Sequence, residues 1–318
     1  MLNIIKTENF GLQRKIVANM TTESWQTIPH VAYNYEADVT DLLIALKKIN
    51  ASRSIDKRIT INTLMLKVIS EGLKASPQMN AHINYNHKLV RGRTDAFEEI
   101  NISVPMIMPT GEMMTINVRG FEWMNLDNIG AKFADIRRRA ENTILDEAMY
   151  EVSFTNTINE LKNGRILKAL GRLIGAKTGE HKIELLTGED RKRYYSISEK
   201  DRLTGYDIEQ GTVTVSNLGS LDKSLTGSVS MLEVIPPQVA AFGLGAIQDK
   251  VVCATDSCGT KNADFRKIMP ICIAFDHRAL DFGDIVPFIK KCDSIFENPS
   301  IINTWVDGKK KYRAYKEA

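Results

Sequence analysis

Two stretches of this 318-residue chain are apolar without alternation: Val239-Ala240-Ala241-Phe242-Gly243-Leu244-Gly245 and Ile268-Met269-Pro270-Ile271-Cys272-Ile273-Ala274-Phe275. A strand with one wet face alternates polar and apolar residues, so unbroken runs of this length read as strands buried on both faces. Around them the pattern is strand and helix in turn. His30 to Ala37 alternates as a strand, and Asp41 to Ile49 follows with helical periodicity behind Thr40 as its cap. Thr60-Ile61-Asn62-Thr63 leads into a mostly buried helix over Leu64–Ala75, which Pro77 ends. Short strands are expected at 81–84, 88–91, 101–108 and 115–118, with Pro109-Thr110-Gly111 as the turn between the last two. A helix spans 126–141. Gly211-Thr212-Val213-Thr214-Val215-Ser216 alternates again, with Thr212, Thr214 and Ser216 on one face and the valines on the other. The last helix is expected from Asp284 as cap, with an apolar stripe at Ile285, Phe288, Ile289, Cys292, Ile295 and Phe296.

Charge narrows the function classes. Lys and Arg number 42 against 39 Asp and Glu, a formal excess of only +3, and the charges are mixed along the chain. Nucleic-acid binders concentrate a basic excess because phosphate neutralisation supplies much of their affinity, so nucleic acid is not favoured as a partner. The first residues meet Glu8 before any apolar run, which argues against a secretory signal, and no apolar stretch approaches the ~20 residues of a membrane span. Cys253, Cys258, Cys272 and Cys292 lack CxxC spacing; they read as small core residues in a reduced, cytoplasmic protein. The segment from about 142 to 201 is the least regular. Within it Gly164 to Lys177 reads as a basic amphipathic helix, able to lie on an anionic membrane surface or to receive a partner, or simply to pack on its own core.

The densest chemistry lies where the second apolar run ends, in Phe275-Asp276-His277-Arg278-Ala279-Leu280-Asp281-Phe282-Gly283-Asp284. An imidazole leaving a buried strand beside two aspartates and an arginine would have its tautomer and orientation fixed, as a general base requires. Asp281-Phe282-Gly283 spells a kinase metal motif but has no glycine-rich phosphate loop upstream. Gly243-Leu244-Gly245 lacks the third glycine of a dinucleotide fingerprint, and no GxSxG, HExxH or GxxxxGK[ST] occurs. No metal site is expected.

Five motifs together carry a resemblance: Ile28-Pro29-His30-Val31, Asp38-Val39-Thr40-Asp41-Leu42, Gly211 to Gly219, Ile235-Pro236-Pro237-Gln238 and Phe275 to Asp281. In that order they resemble the catalytic domain of the dihydrolipoamide acyltransferase component of 2-oxoacid dehydrogenase complexes, whose fold is shared with chloramphenicol acetyltransferase. The resemblance implies an α/β (α+β) two-layer sandwich, a mixed β-sheet with helices packed on it, in one catalytic domain over 1–318. It implies His277 as the base that takes a proton from an attacking thiol, Ser216 as hydroxyl donor to the oxyanion, and Asp281 as an architectural residue held by ion pairing. Free thiols and imidazoles titrate near ~8.5 and ~6.5, close enough for proton transfer at neutral pH. The family further implies a homotrimer with active sites between subunits, coenzyme A or acyl-CoA as substrate, and a dihydrolipoyl acceptor.

This sequence departs from the family at several points. Phe282 stands where the signature, histidine, three residues, aspartate, glycine, has glycine. The 142–201 insertion is longer than the usual connection, and residues 305–318 end in a basic tail, Lys309-Lys310-Lys311 through Lys316. With no lipoyl or peripheral-subunit-binding domain before the catalytic region, the lipoyl group is expected in trans, from another protein. The readings that remain are CoA-dependent acyl transfer to a thiol, O-acetylation of a small molecule, and a non-catalytic trimeric scaffold.

Overall fold

A computed structural model describes residues 2–109, 111–162, 170–171, 174, 185–255 and 258–306. The elements are α1 (Leu12–Thr27), β1 (His30–Asp38), α2 (Thr40–Ala51), α3 (Ile61–Ala75), β2 (Ala81–Asn86), β3 (Arg91–Ala96), β4 (Ile102–Ile107), β5 (Met113–Val118), α4 (Leu126–Ala140), α5 (Leu145–Lys162), α6 (Gly188–Ser196), α7 (Gly205–Ile208), β6 (Val213–Asn217), β7 (Ala240–Leu244), β8 (Gln248–Thr255), β9 (Lys261–Asp276) and α8 (Phe282–Glu297). They form a mixed seven-stranded sheet in the order β1-β9-β7-β6-β4-β5, with β8 paired to β9, and a separate β2-β3 hairpin. β9 runs antiparallel to β1, β7 and β8, while β6 is parallel to both β7 and β4.

The two unbroken apolar runs are the central strands, buried on both faces as expected. Phe242 and Ile273 are register partners, and Phe242 stacks on Phe288 of α8 at 5.0 Å between ring centroids. On the opposite face Ala241, Cys272 and Ala274 are covered by Ile28 and Val234, with Val229 and Leu232 packed against them. Each fully buried large side chain of this kind contributes about 1.5–3 kcal/mol of transfer free energy.

By internal packing the chain divides into two compact units. One comprises Ser24–Pro105, Asn117–Ala134 and Gln210–Ala318, and carries every residue singled out for chemistry. The other comprises Met1–Glu23, Met106–Ile116 and Asp135–Glu209. Where it is described, the 142–201 segment is helical rather than irregular. Arg139 forms a buried bidentate pair with Asp207 (2.9 and 2.6 Å), and Glu147 accepts from the Tyr195 hydroxyl at 3.0 Å. Most of the basic amphipathic stretch 164–177 lies outside the described residues, as does the tail beyond Val306.

Several local expectations are corrected. Residues 88–90 are the turn of the β2-β3 hairpin, and the strand begins at Arg91. Thr40 is the first helical residue of α2, after Val39; its N–H and O–H both donate to Asp38 Oδ1 (3.0 and 2.6 Å). Burial works against the charge of the Asp38 carboxyl, but the bonds from Thr40 and Arg266 prevail and hold its pKa below the ordinary value. The cap of α8 is Asp281, not Asp284. Cys272 and Cys292 are buried, and burial raises both thiol pKa values, but Cys253 and Cys258 are exposed rather than core residues.

α3 and α8 meet at Gly72, where an added Cβ would lie 2.6 Å from the Phe288 ring. That ring is held against Phe242 and cannot simply swing away. Gly72→Ala is therefore expected to destabilise the protein by about 1–3 kcal/mol through overpacking. Urea unfolding should show this as a lower midpoint with an unchanged slope.

Candidate active site

Asp276 is the last residue of β9 and is fully buried. Its carbonyl accepts the amides of Ala279 (3.0 Å) and Leu280 (3.1 Å), so the chain turns back at once. Its carboxylate is held by Arg278, with Nε 3.0 Å from Oδ1 and Nη2 2.6 Å from Oδ2. The guanidinium also lies over the Tyr85 ring, 5.6 Å from its centroid. A buried carboxylate is tolerated when a planar cation engages both oxygens, as here.

The tight turn presents His277 to solvent, 43% exposed, with its own N–H donating to the Pro29 carbonyl at 3.1 Å. Its Nδ1 lies 3.0 Å from the Leu280 carbonyl oxygen. A carbonyl can only accept, so Nδ1 carries the proton in the neutral ring and Nε2 is left with a lone pair. Among the described residues Nε2 has no hydrogen-bond partner. Asp281 Oδ1 stands 3.4 Å from Nδ1, a longer, secondary contact, and that side chain is 82% exposed. The imidazole is thus oriented by a backbone carbonyl rather than by the aspartates and arginine that flank it in sequence.

Asp281 meets no arginine among the described residues. The nearby guanidinium is already committed to Asp276, and Asp281 instead starts α8 in a capping box with Asp284, its N–H donating to Asp284 Oδ2 at 2.8 Å.

Ser216 lies on β6, half-exposed, between the buried Val215 and the cap residue Asn217, and its hydroxyl has no protein partner among the described residues. Its surroundings are fixed by residues the sequence reading did not single out. Asn217 donates to Asn62 Oδ1 (2.8 Å) and accepts the Ser220 amide (3.0 Å), which sets the turn after the strand. That turn passes so close to the segment just after β7 that a Cβ on Gly219 would meet Ala246 Cα at 2.8 Å. The fully buried Gln238 accepts from Thr214 Oγ1 (2.7 Å) and donates to the Gly211 carbonyl (2.8 Å), tying β6 to the entry of β7. Asn217 and Gln238 stood inside recognisable motifs, but nothing in the sequence pairs Asn62, 155 residues away, with Asn217.

Ser216 pairs with Gly243, which pairs with Cys272, so Ser216 and His277 are two strands and five residues apart on one sheet. With ~4.8 Å between strands and ~3.3 Å per residue along them, their backbone positions are about 19 Å apart. One chain brings His277 and Asp281 together and leaves Ser216 distant.

The sequence profile described as 2-oxoacid dehydrogenases acyltransferase (catalytic domain) matches residues 4–161 and 188–303. The chain belongs to this acyltransferase family. The acetyltransferase component of the pyruvate dehydrogenase complex of Saccharomyces cerevisiae is 22% identical over 289 residues, covering 90% of this chain and 45% of the yeast protein. The chain thus spans about half the length of that relative. Among solved structures, the cubic core of a pyruvate dehydrogenase multienzyme complex superposes with a TM-score of 0.62 at 16% identity, covering 94% of each chain. The dihydrolipoamide acetyltransferase of Azotobacter vinelandii gives 0.60 at 17% identity, again covering 94% of each. These likenesses establish that the acyltransferase-family chain has the fold of those catalytic cores. Among the described residues, no group of three or more His, Cys, Asp or Glu side chains is placed to hold a metal ion, and no helix is long and apolar enough to cross a membrane.

Arg278→Ala would strand the Asp276 carboxylate in the core. We expect a loss of about 3 kcal/mol, at the lower end for a buried pair because the guanidinium is 22% exposed. Chemical denaturation of the purified variant measures it, and Arg278→Lys should recover only part, since an ammonium cannot reproduce the two-point contact.

Proposed function

We propose that the protein is a CoA-dependent acyltransferase that moves an acyl group between coenzyme A and a dihydrolipoyl thiol. The observation that carries this reading is the bare Nε2 of His277, on an imidazole oriented through Nδ1 by the Leu280 carbonyl and 43% exposed. Nε2 takes the proton from the acceptor S–H, and the resulting thiolate attacks the thioester carbon. The tetrahedral oxyanion accepts a hydrogen bond from the Ser216 hydroxyl, which has no competing protein partner among the described residues. Collapse breaks the bond to the CoA sulfur, and the proton on Nε2 passes to the departing thiolate. The reverse direction uses the same groups.

In the Azotobacter vinelandii dihydrolipoamide acetyltransferase a serine, a histidine and an asparagine have a role in the catalytic mechanism. The histidine and asparagine there are four residues apart, as His277 and Asp281 are here, which supports Asp281 as the residue beside the base. Asp281 positions the site by starting α8 and flanking Nδ1.

The backbone separation of about 19 Å between Ser216 and His277 supports an active site made by two copies, which we read as the homotrimer that the family resemblance implies, with one catalytic domain per chain and the lipoyl group brought by another protein. Closed symmetric assemblies place the same two surfaces in contact at every interface. The buried thiols of Cys272 and Cys292 support a reducing, cytoplasmic setting.

Steady-state turnover of acetyl-CoA with free dihydrolipoamide tests the reading. His277→Ala is expected to lower kcat by about 10²–10⁴-fold, and Ser216→Ala by about 10²–10³-fold. A wild-type protein inactive with several acyl donors sinks the proposal; activity surviving His277→Ala removes that residue from the mechanism.

A second measurement tests the shared site. His277→Ala and Ser216→Ala proteins, unfolded and refolded together in equal amounts, should regain about a quarter of wild-type activity, because one interface in four then combines an intact histidine with an intact serine. Recovery no greater than the sum of the separately refolded variants would place both residues' action within one chain.

A further inference from the structure

Phe282 is a large apolar side chain beside the base, and nothing in the mechanism above uses it. It is the first residue of α8, and its ring meets Phe275 edge-on, with centroids 5.5 Å apart and planes at 86°. Phe275 is fully buried and meets His277 edge-on as well, at 5.9 Å and 71°. One buried ring therefore holds both the imidazole and the phenyl group of Phe282. Phe282 remains 50% exposed, and its neighbour Gly283 faces open space, with nothing within 4 Å of where a Cβ would stand. Next to Phe282 in the chain, Asp281 sets a solvated carboxylate 3.4 Å from Nδ1. His277 and Phe282 thus share one buried ring as their support, and Phe282 forms an apolar edge of this turn that its own chain leaves half uncovered.

We propose that Phe282 is a specificity-determining residue, whose ring is the apolar wall for a short hydrocarbon attached to the reacting sulfur or acyl carbon. This rests on the acyl-transfer reading of His277. Two sources carry such a hydrocarbon to this point, the acyl group of the donor and the carbon chain of the dithiol acceptor. An aromatic face held in place by Phe275 gives contact without ordering a flexible side chain, so its contribution depends on how much hydrocarbon the substrate presents.

The test compares the wild-type protein, Phe282→Ala and Phe282→Leu in two substrate series. In the first, acetyl-, propionyl- and butyryl-CoA are varied with dihydrolipoamide fixed. In the second, dihydrolipoamide and 2-mercaptoethanol are compared as acceptors with acetyl-CoA fixed. Phe282→Ala is expected to change the ratio of kcat/KM between the more and the less apolar substrate by about tenfold in one series, and Phe282→Leu to retain most of the wild-type ratio. The series that responds identifies which substrate rests on the ring. A Phe282→Ala protein that slows all substrates by one common factor has lost only structure, and that result overturns the proposal, as does an unchanged ratio in both series. Urea unfolding of each variant separates loss of the Phe275 contact from loss of selectivity. If the wild-type protein turns over no substrate pair, the acyl-transfer reading falls and this inference falls with it; activity with unaltered selectivity removes the role of Phe282 alone.

Discussion

β9 is hydrogen-bonded along both edges, to β1 and to β7, over Ile271–Phe275, and both its faces are covered as well. A strand enclosed on four sides has no freedom of register, because a slip by one residue would exchange every side chain between two differently filled faces. Phe242 and Ile273 belong with Phe288, and Ala241, Cys272 and Ala274 with Val234; large and small residues cannot trade places in a close-packed interior. The end of β9 is therefore fixed in space, and Asp276 with it. Burying that carboxylate forces Arg278 to return across the turn, and the turn brings the Leu280 carbonyl against His277 Nδ1. The tautomer of the candidate base is a consequence of how the sheet is packed.

The sequence carried this centre legibly and its periphery poorly. Unbroken apolar runs survive as a signal because full burial leaves no polar position to interrupt them. β8 and the first half of β9 went unread, since that hairpin is partly exposed along its whole length and places Val251 and Phe265 opposite each other in solvent. α5 went unread for a related reason: its apolar residues Leu145, Ala148, Tyr150, Val152 and Phe154 are spread around the helix and form no single stripe. At the start of α8 the segment from Asp281 to Asp284 offers two possible caps three residues apart. The later one, Asp284, was the expected cap, but the helix starts at Asp281, with Phe282 as its first residue packed on Phe275.

The candidate site shows the same division. His277 stood out because an imidazole at the end of a buried strand is chemically conspicuous, whereas the partner that orients it is a backbone carbonyl, which every residue has. Asp281 was expected in an ion pair; the flanking arginine was already taken by Asp276, whose claim as a fully buried charge is stronger. The residues that hold Ser216 in place, Asn62, Asn217 and Gln238, are neutral amides whose pairing spans up to 155 positions and leaves no periodic trace.

The distance between Ser216 and His277 follows from the rigidity that fixes each of them. Ser216 is tied to β7 through the register of Gly243 and the close passage of Gly219, and His277 to the end of β9, so neither can move toward the other without unpairing the central strands. Closing about 19 Å within one chain would cost the burial of both apolar runs, far more than the few kcal/mol that one oxyanion hydrogen bond returns. Under the proposed chemistry a second copy must bring its own serine to this histidine, at no conformational cost beyond association. Activity is then linked to assembly by mass action, and weakening the contact between copies removes turnover before it unfolds the chain.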